Sequence, residues 1–447
     1  MLCCMYDRPT RAHLAACLAD AFLAGAWNEE RLVSRAGQAL EPPPRWSRPV
    51  VRQVLAAYHR PPADRPRELA SFVALALEGP SAQGPPPRVR RWFVPPLAMG
   101  RRRWPVPELS SVGELAGLFE LSHGELDWLA DVRGIERSVT AERLRNYRYT
   151  WLARQDGPPR LIERPKARLK AVQRRLLHDV LDWIPAHDAA HGFTRGRSAK
   201  SHAAAHTGRR VVLRMDLEDF FASVAAGRTY GIFRTAGYPE PVAHVLAGLT
   251  TNVVPAEEWD RLPRPGSATM ISAHHRLSRR VATPHLPQGA PTSPAIANLC
   301  AFRLDRRLSG LARAFGATYT RYADDLVFSG TRRIDDAGGR LCATVGEIVR
   351  EEGFTVNERK SSLVTRAGRQ CVCGIVVNER LNVSRREYDQ LKAVLHNAGR
   401  HGAQSQNRAG VADFRMHLLG RVAWVASLNP GRGERLRRLL AGIDWDS

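Results

Sequence analysis

Asp216, Asp219, Asp324 and Asp325 are acids whose spacing could do chemistry. The stretch "VVLRMDLEDFFASV" (Val211–Val224) begins as a β-forming run that ends on Asp216, and Asp219 follows three residues later. In "TRYADDLVFSG" (Thr320–Gly330) Asp324 and Asp325 sit side by side between two β-forming runs. Adjacent carboxylates raise the cost of ionising one another. An acid at the end of a buried strand is costly unless it is paired or binds metal. Two readings are open: turns and caps facing water, for which Asp is suited, or a shared divalent cation, which turns the repulsion into attraction. Alternation on either side of the acid pair predicts a hairpin with the carboxylates at its tip. Beside the strand ending at Asp216, that tip would gather three carboxylates, enough to hold two Mg²⁺ ions. Two such ions can activate an attacking hydroxyl and stabilise a leaving pyrophosphate.

Those acids need a scaffold, and the bulk composition allows one. With 447 residues, 44% of them hydrophobic, the chain can bury a sizeable core and is expected to form two to four domains. A net charge of +23 favours a polyanionic partner, nucleic acid being the commonest, although Arg-rich composition also follows genomic base content. The cysteines (Cys3, Cys4, Cys17, Cys300, Cys342, Cys371 and Cys373) are few, odd in number and lack paired CxxC spacing. Neither a disulfide framework nor a structural zinc site is indicated, and a reducing cytoplasm fits. "LAACLADAFLAGAW" (Leu14–Trp27) is too short to span a bilayer and lacks a leader's flanks, so it reads as an amphipathic helix and no membrane is expected.

Along the chain, residues 1–105 are rich in Pro, Arg and Trp, which predicts short helices joined by irregular segments. Their basic and aromatic stretch from Arg88 to Trp104 suits either stacking on RNA or packing as a structural arm. Between Leu109 and Arg145 two short helices are expected, with Ser111 and Ser122 as N-caps and Glu125 completing a capping box. Strand-like and helix-like runs alternate over 147–378, as in an α+β body, and residues from about 384 onward read as helices.

Asp216 with "LEDFF", then "LPQGAPTSP" (Leu286–Pro294), then "YADD" (Tyr322–Asp325) resemble, in order, the palm motifs of reverse transcriptases. The resemblance implies a right-hand polymerase fold with a mostly helical N-terminal extension. Its segments would be the extension at 1–105, a helical pre-region and fingers at 106–210, the palm with interleaved fingers at 211–380 and a helical thumb at 381–447. Asp216, Asp324 and Asp325 would be catalytic and, with the backbone at Leu217, would hold two Mg²⁺. Phe221 falls where the family places the bulky residue that favours dNTPs over NTPs. Gln288 and Gly289 would line the nucleotide and template, and Lys360 in "GFTVNERKSS" would lie near the leaving pyrophosphate. "GPPRLIERPKARLKAVQRRLL" (Gly157–Leu177) looks like the fingers, with Arg160 as triphosphate clamp; Lys166, Lys170 and Arg174 would touch template backbone or face solvent.

Further stretches are similar to the retron branch of that family. "HAAAH" (His202–His206) stands where retron enzymes carry Asn-Ala-x-x-His, so His replaces Asn. Val372-Cys373-Gly374 stands for Val-Thr-Gly, and Cys loses the hydroxyl. The resemblance places His206, Val372, Cys373 and Gly374 among RNA-binding residues. From the residues alone, His202 and His206 are also a pair that one helix face would share, without a third metal ligand nearby. A retron enzyme starts DNA from a 2′-OH of a structured non-coding RNA that is primer and template, and its product is a branched RNA–DNA. A toxin or effector protein held in check within phage defence is also implied. The alternatives are a group II intron-like or other defence reverse transcriptase, or a polymerase-derived RNA-binding scaffold without activity.

Overall fold

A computed structural model describes residues 10–78, 87–153, 159–261 and 268–445. The chain divides into two compact units that cut across the four segments read from the sequence. The first comprises 1–184 and 225–293, the second 185–224 and 294–447.

The first unit begins with four helices, α1 (Arg11–Leu23), α2 (Glu29–Ala39), α3 (Ser47–Ala57) and α4 (Pro66–Ala76). They bury a core of their own around Leu18, Phe22, Leu32, Val51, Leu69 and Val73. Thr10 and Asn28 cap α1 and α2 by accepting the His13 and Arg31 amides. The expectation of an amphipathic first helix is corrected: α1 buries Leu14, Ala15, Cys17, Leu18, Ala19, Ala21, Phe22 and Leu23, positions that run round the whole helix. It stops at Leu23, where the buried Arg35 guanidinium donates to the Ala21 and Phe22 carbonyls. Of the basic-aromatic stretch, Arg88–Val89 pairs with Leu40–Glu41, and Trp92 Nε1 donates to Asp20 at 2.7 Å. That part is a structural arm.

Helices α5 (Val112–Phe119) and α6 (His123–Leu129) follow, capped by Ser111 and Ser122, the latter in the expected box with Glu125. The hairpin β1 (Tyr147–Leu152) and β2 (Arg160–Pro165) comes next, in register from Tyr147↔Pro165 to Leu152↔Arg160, and then α7 (Ala167–Asp179). Helices Ala226–Thr235 and Glu240–Thr250 belong to the same unit.

The second unit carries helix α8 (Ala199–Ala204) and a four-stranded antiparallel sheet. Its strands are β3 (Val211–Leu217), β4 (Thr318–Tyr322), β5 (Asp325–Gly330) and β6 (Val356–Thr365), in the order β4–β5–β3–β6. Strand β3 is interior and almost wholly buried, which explains the apolar run Val211–Leu213 and the apolar Met215 and Leu217 around Arg214 and Asp216. A two-residue hairpin follows, β7 (Cys371–Val372) with β8 (Ile375–Val376). Its Val372 and Ile375 join a core completed by helices Arg385–His401, Phe414–Leu428 and Pro430–Ala441. Among the described residues no helix is long and apolar enough to cross a membrane.

Candidate active site

The predicted hairpin exists, and its register decides what the acids can do. Tyr322 pairs with Asp325, so Ala323 and Asp324 form the loop. Asp325 in turn stands opposite Asp216 across β5 and β3, and residues opposite each other in an antiparallel pair project to one face. The Leu217 amide donates to the Asp324 carbonyl at 3.0 Å, which ties the loop to the end of β3. All three carboxylates therefore meet at one corner of the sheet. Burial, and then the charges of Asp216 and Asp325, raise the Asp324 carboxyl above the usual carboxylate range, partly offset by Lys360.

Three cationic or polar side chains answer those charges. Lys360 Nζ lies 3.1 Å from both oxygens of Asp216. It projects from β6 where the pairing with β3 shifts register between Arg214 and Asp216. Asn357 Nδ2 donates to Asp216 Oδ2 at 3.1 Å, and Arg214 approaches Asp325 Oδ1 at 3.4 Å. An all-oxygen set with mutual repulsion suits a hard divalent cation.

The loop is held by a charge that sequence reasoning passed over. Ala323 has a left-handed backbone (φ 54°), which costs an L-residue about 1–2 kcal/mol. Arg321, fully buried, donates to the Ala323 carbonyl at 3.0 Å and to Asn298 at 2.9 Å, and forks onto both oxygens of Asp305 at 2.8 and 2.7 Å. From the other side the segment Ala189–Gly192 crosses the hairpin: Arg321 and Ala189, and His191 and Arg321, exchange backbone bonds of 2.7 Å. Gly192 runs so close that a Cβ there would lie 2.5 Å from the Ala323 nitrogen.

The family model described as reverse transcriptase (RNA-dependent DNA polymerase) matches residues 153–397, more than half of the chain. The retron Mx65 reverse transcriptase of Myxococcus xanthus is 45% identical over 299 residues, covering 66% of this chain and 65% of that protein. The retron Mx162 enzyme of the same organism is 37% identical over 327 residues, covering 69% and 64%. The retron Ec86 reverse transcriptase of Escherichia coli is 30% identical over 271 residues, covering 58% of this chain and 74% of that protein. The chain belongs to the retron reverse transcriptases. The aligned stretch thus spans somewhat under two thirds of each Myxococcus relative.

Within this retron reverse transcriptase the other site residues fall as follows. Phe221 lies in the turn after β3, its ring 6.2 Å from that of Phe193, and Asp219 at the head of the turn is left-handed (φ 46°). In the first unit, Arg160 opens β2, and the same strand anchors the loop of Gln288 and Gly289. The Glu163 amide donates to the Gln288 carbonyl at 2.9 Å, and a Cβ on Gly289 (φ 133°) would meet the Glu163 carbonyl at 2.8 Å.

Of the four residues expected at RNA, two are buried. His206 is fully buried, Nδ1 against Ser329 Oγ and Nε2 against Thr320 Oγ1, both at 2.7 Å, so neither ring nitrogen is left for RNA. Val372 is fully buried in the core beneath the C-terminal helices. Cys373 and Gly374 form the two-residue turn of β7–β8 with φ 47° and 77°, as a type I′ turn requires. Gly374 is exposed, while the Cys373 thiol lies 3.8 Å from Asp325 Oδ2. Burial, and then Asp325, push that thiol up to about 12, so it is neutral at ordinary pH. The His pair is not a metal site: hydroxyls take both ring nitrogens of His206, and Nδ1 of His202 contacts the same Thr320 hydroxyl at 2.6 Å.

Proposed function

We propose that this chain is an RNA-directed DNA polymerase that extends a 2′-OH of its own structured non-coding RNA, copying part of that RNA into branched RNA–DNA. The observation that carries the reading is the convergence of Asp216, Asp324 and Asp325 at one sheet corner with Lys360 on Asp216. Two divalent ions, Mg²⁺ by preference, would be held by these carboxylates and the Leu217 carbonyl. When bound they would lower the pKa of the attacking hydroxyl and draw charge from the leaving pyrophosphate.

The remaining work falls to side chains. Lys360, paired with Asp216 and half-exposed, would turn from Asp216 toward the negative charge that builds on pyrophosphate. Phe221 would exclude a 2′-hydroxyl on the incoming nucleotide and so select dNTPs. Arg160 would fork onto triphosphate oxygens, and Gln288 and Gly289 would contact nucleotide and template. Cys373 and Gly374, at an exposed turn, are the part of the second retron signature that RNA can still reach. The family further suggests an effector protein restrained by the enzyme and its DNA.

The test is expression with the native flanking locus, comparing wild type with Asp324→Asn. Nucleic acid recovered with each protein is treated with RNase and with debranching enzyme. A discrete DNA found only with wild type, shifted in mobility by debranching, is expected. DNA without a branch would overturn the priming mode. RNA bound equally by both proteins, with no DNA from either, would favour a binding scaffold.

A further inference from the structure

We propose that His285 is a positioning residue, held as an imidazolium, that clamps the loop carrying Gln288 and Gly289 onto the strand carrying Arg160. The inference rests on the nucleotide roles proposed above and adds a group outside the family motifs.

The ring is fully buried and both its nitrogens are engaged. Nδ1 lies 2.8 Å from the Thr283 carbonyl and Nε2 lies 3.0 Å from Glu163 Oε1. A carbonyl can only accept, and so can an ionised carboxylate, so both nitrogens must donate and the ring carries a proton on each. Glu163 is equally buried, and its second oxygen accepts from Asn252 Nδ2 at 2.7 Å. Asn252 is itself paired to His285 through the backbone in both directions, at 2.9 and 3.0 Å. Behind Asn252, Tyr149 on β1 contacts it at 3.1 Å and donates to the buried Glu136 at 3.2 Å. Burial opposes the charge on His285, but the charge and hydrogen bond of Glu163, with the Thr283 carbonyl, raise its pKa above the ordinary value.

The consequence is geometric. Glu163 is three residues along β2 from Arg160, and His285 is three residues before Gln288. This charge-assisted contact therefore joins the Glu163–Gln288 backbone bond in setting the spacing of two segments assigned to the nucleotide. The contact is intact below the raised pKa and lost as pH climbs through it, so the loop should loosen on the alkaline side.

The experiment uses the full chain with poly(rA) and an oligo(dT) primer blocked by a dideoxy end, so that dTTP binds without reacting. dTTP affinity is measured across neutral to alkaline pH for wild type, Glu163→Gln and His285→Gln, and the charge of the ring is read by nitrogen-15 NMR of labelled histidine. His285→Gln identifies the signal. A doubly protonated ring at neutral pH is expected, with dTTP affinity falling as it deprotonates. Glu163→Gln is expected to weaken binding about tenfold, the value of a lost charge-assisted bond, and to flatten the pH profile. A neutral ring at neutral pH, accepting from a protonated Glu163, would overturn the proposal. So would affinity that stays constant while the ring titrates. Extension of an unblocked primer is scored separately. Its absence, with dTTP binding and pH profile intact, would sink the polymerase reading and leave the clamp standing.

Discussion

Each unit buries histidine beneath residues assigned to the chemistry, and the two settings leave one group of rings neutral and the other ring charged. In the second unit His191, His202 and His206 lie by the β4–β5 hairpin among hydroxyls: Ser201, Ser329 and Thr320. A buried carboxylate of that unit, Asp305, is already spent on Arg321. Burial first, and then neighbouring histidines and arginines, depress the three rings to about 4, 2 and 3. In the first unit His285 meets an unspent carboxylate and keeps its proton. Burial is common to both, so the difference lies in the available partner. Hydroxyls satisfy a neutral ring, but they offer no compensating charge to a protonated one.

Acid should separate the two settings most strongly. The three depressed histidines stay neutral when folded and take up protons when unfolded, at about 6.5. The unfolded state therefore binds more protons between that value and the folded ones, and stability falls as pH drops through the window. Each ring contributes at most about 1 kcal/mol per pH unit there. Urea midpoints at pH 7, 6 and 5 should decline steeply, and a flat series would mean that these rings are protonated in the folded chain. His285 acts in the opposite direction: its raised pKa adds stability at low pH that is lost as pH rises through the folded value.

Next in size is Asp305→Asn, which leaves Arg321 buried without its counter-charge. A loss of about 3–5 kcal/mol is expected in denaturant unfolding, and a loss under 1 kcal/mol would show that Asn298 and the Ala323 carbonyl suffice. Thr320→Val keeps the shape but removes the hydroxyl shared by His202 and His206. Because His202 Nε2 is already buried without a hydrogen-bond partner among the described residues, losing the bond at Nδ1 as well should cost about 1–3 kcal/mol. An unchanged midpoint would show that the hydroxyl contributes nothing to the buttress. The smallest effect is reserved for Lys360→Met. Its side chain is 49% exposed, so breaking the pair with Asp216 should cost under about 1 kcal/mol of stability, while primer extension drops sharply. Extension at the wild-type rate would remove Lys360 from the mechanism.

The acidic corner was legible because its signals are local. A β-forming run ending in Asp216 and alternation flanking two acids are properties of short stretches, as is the capping box at Ser122. The histidine settings were not legible, since their partners are distant in the chain. Thr320 lies 118 residues from His202, and Glu163 lies 122 residues from His285. His202 and His206 therefore read as a possible metal pair or an RNA signature, when they are hydroxyl-bonded supports for β4 and β5. Arg321 was equally hidden, because in "TRYADD" it looks like an outward strand residue, and only Asp305 and Asn298 explain why it turns inward. In α1, small residues on the far face read as solvent-tolerant although neighbouring helices cover them.

Gly192 has a consequence for sequence variation. Side-chain size usually grades tolerance, because a larger group displaces its surroundings by more. Here the first carbon of any side chain already collides with backbone at Tyr322 and Ala323. A saturation library should therefore show a step at this position: alanine as damaging as leucine, glycine alone surviving selection, and a graded response returning at the exposed neighbour Phe193.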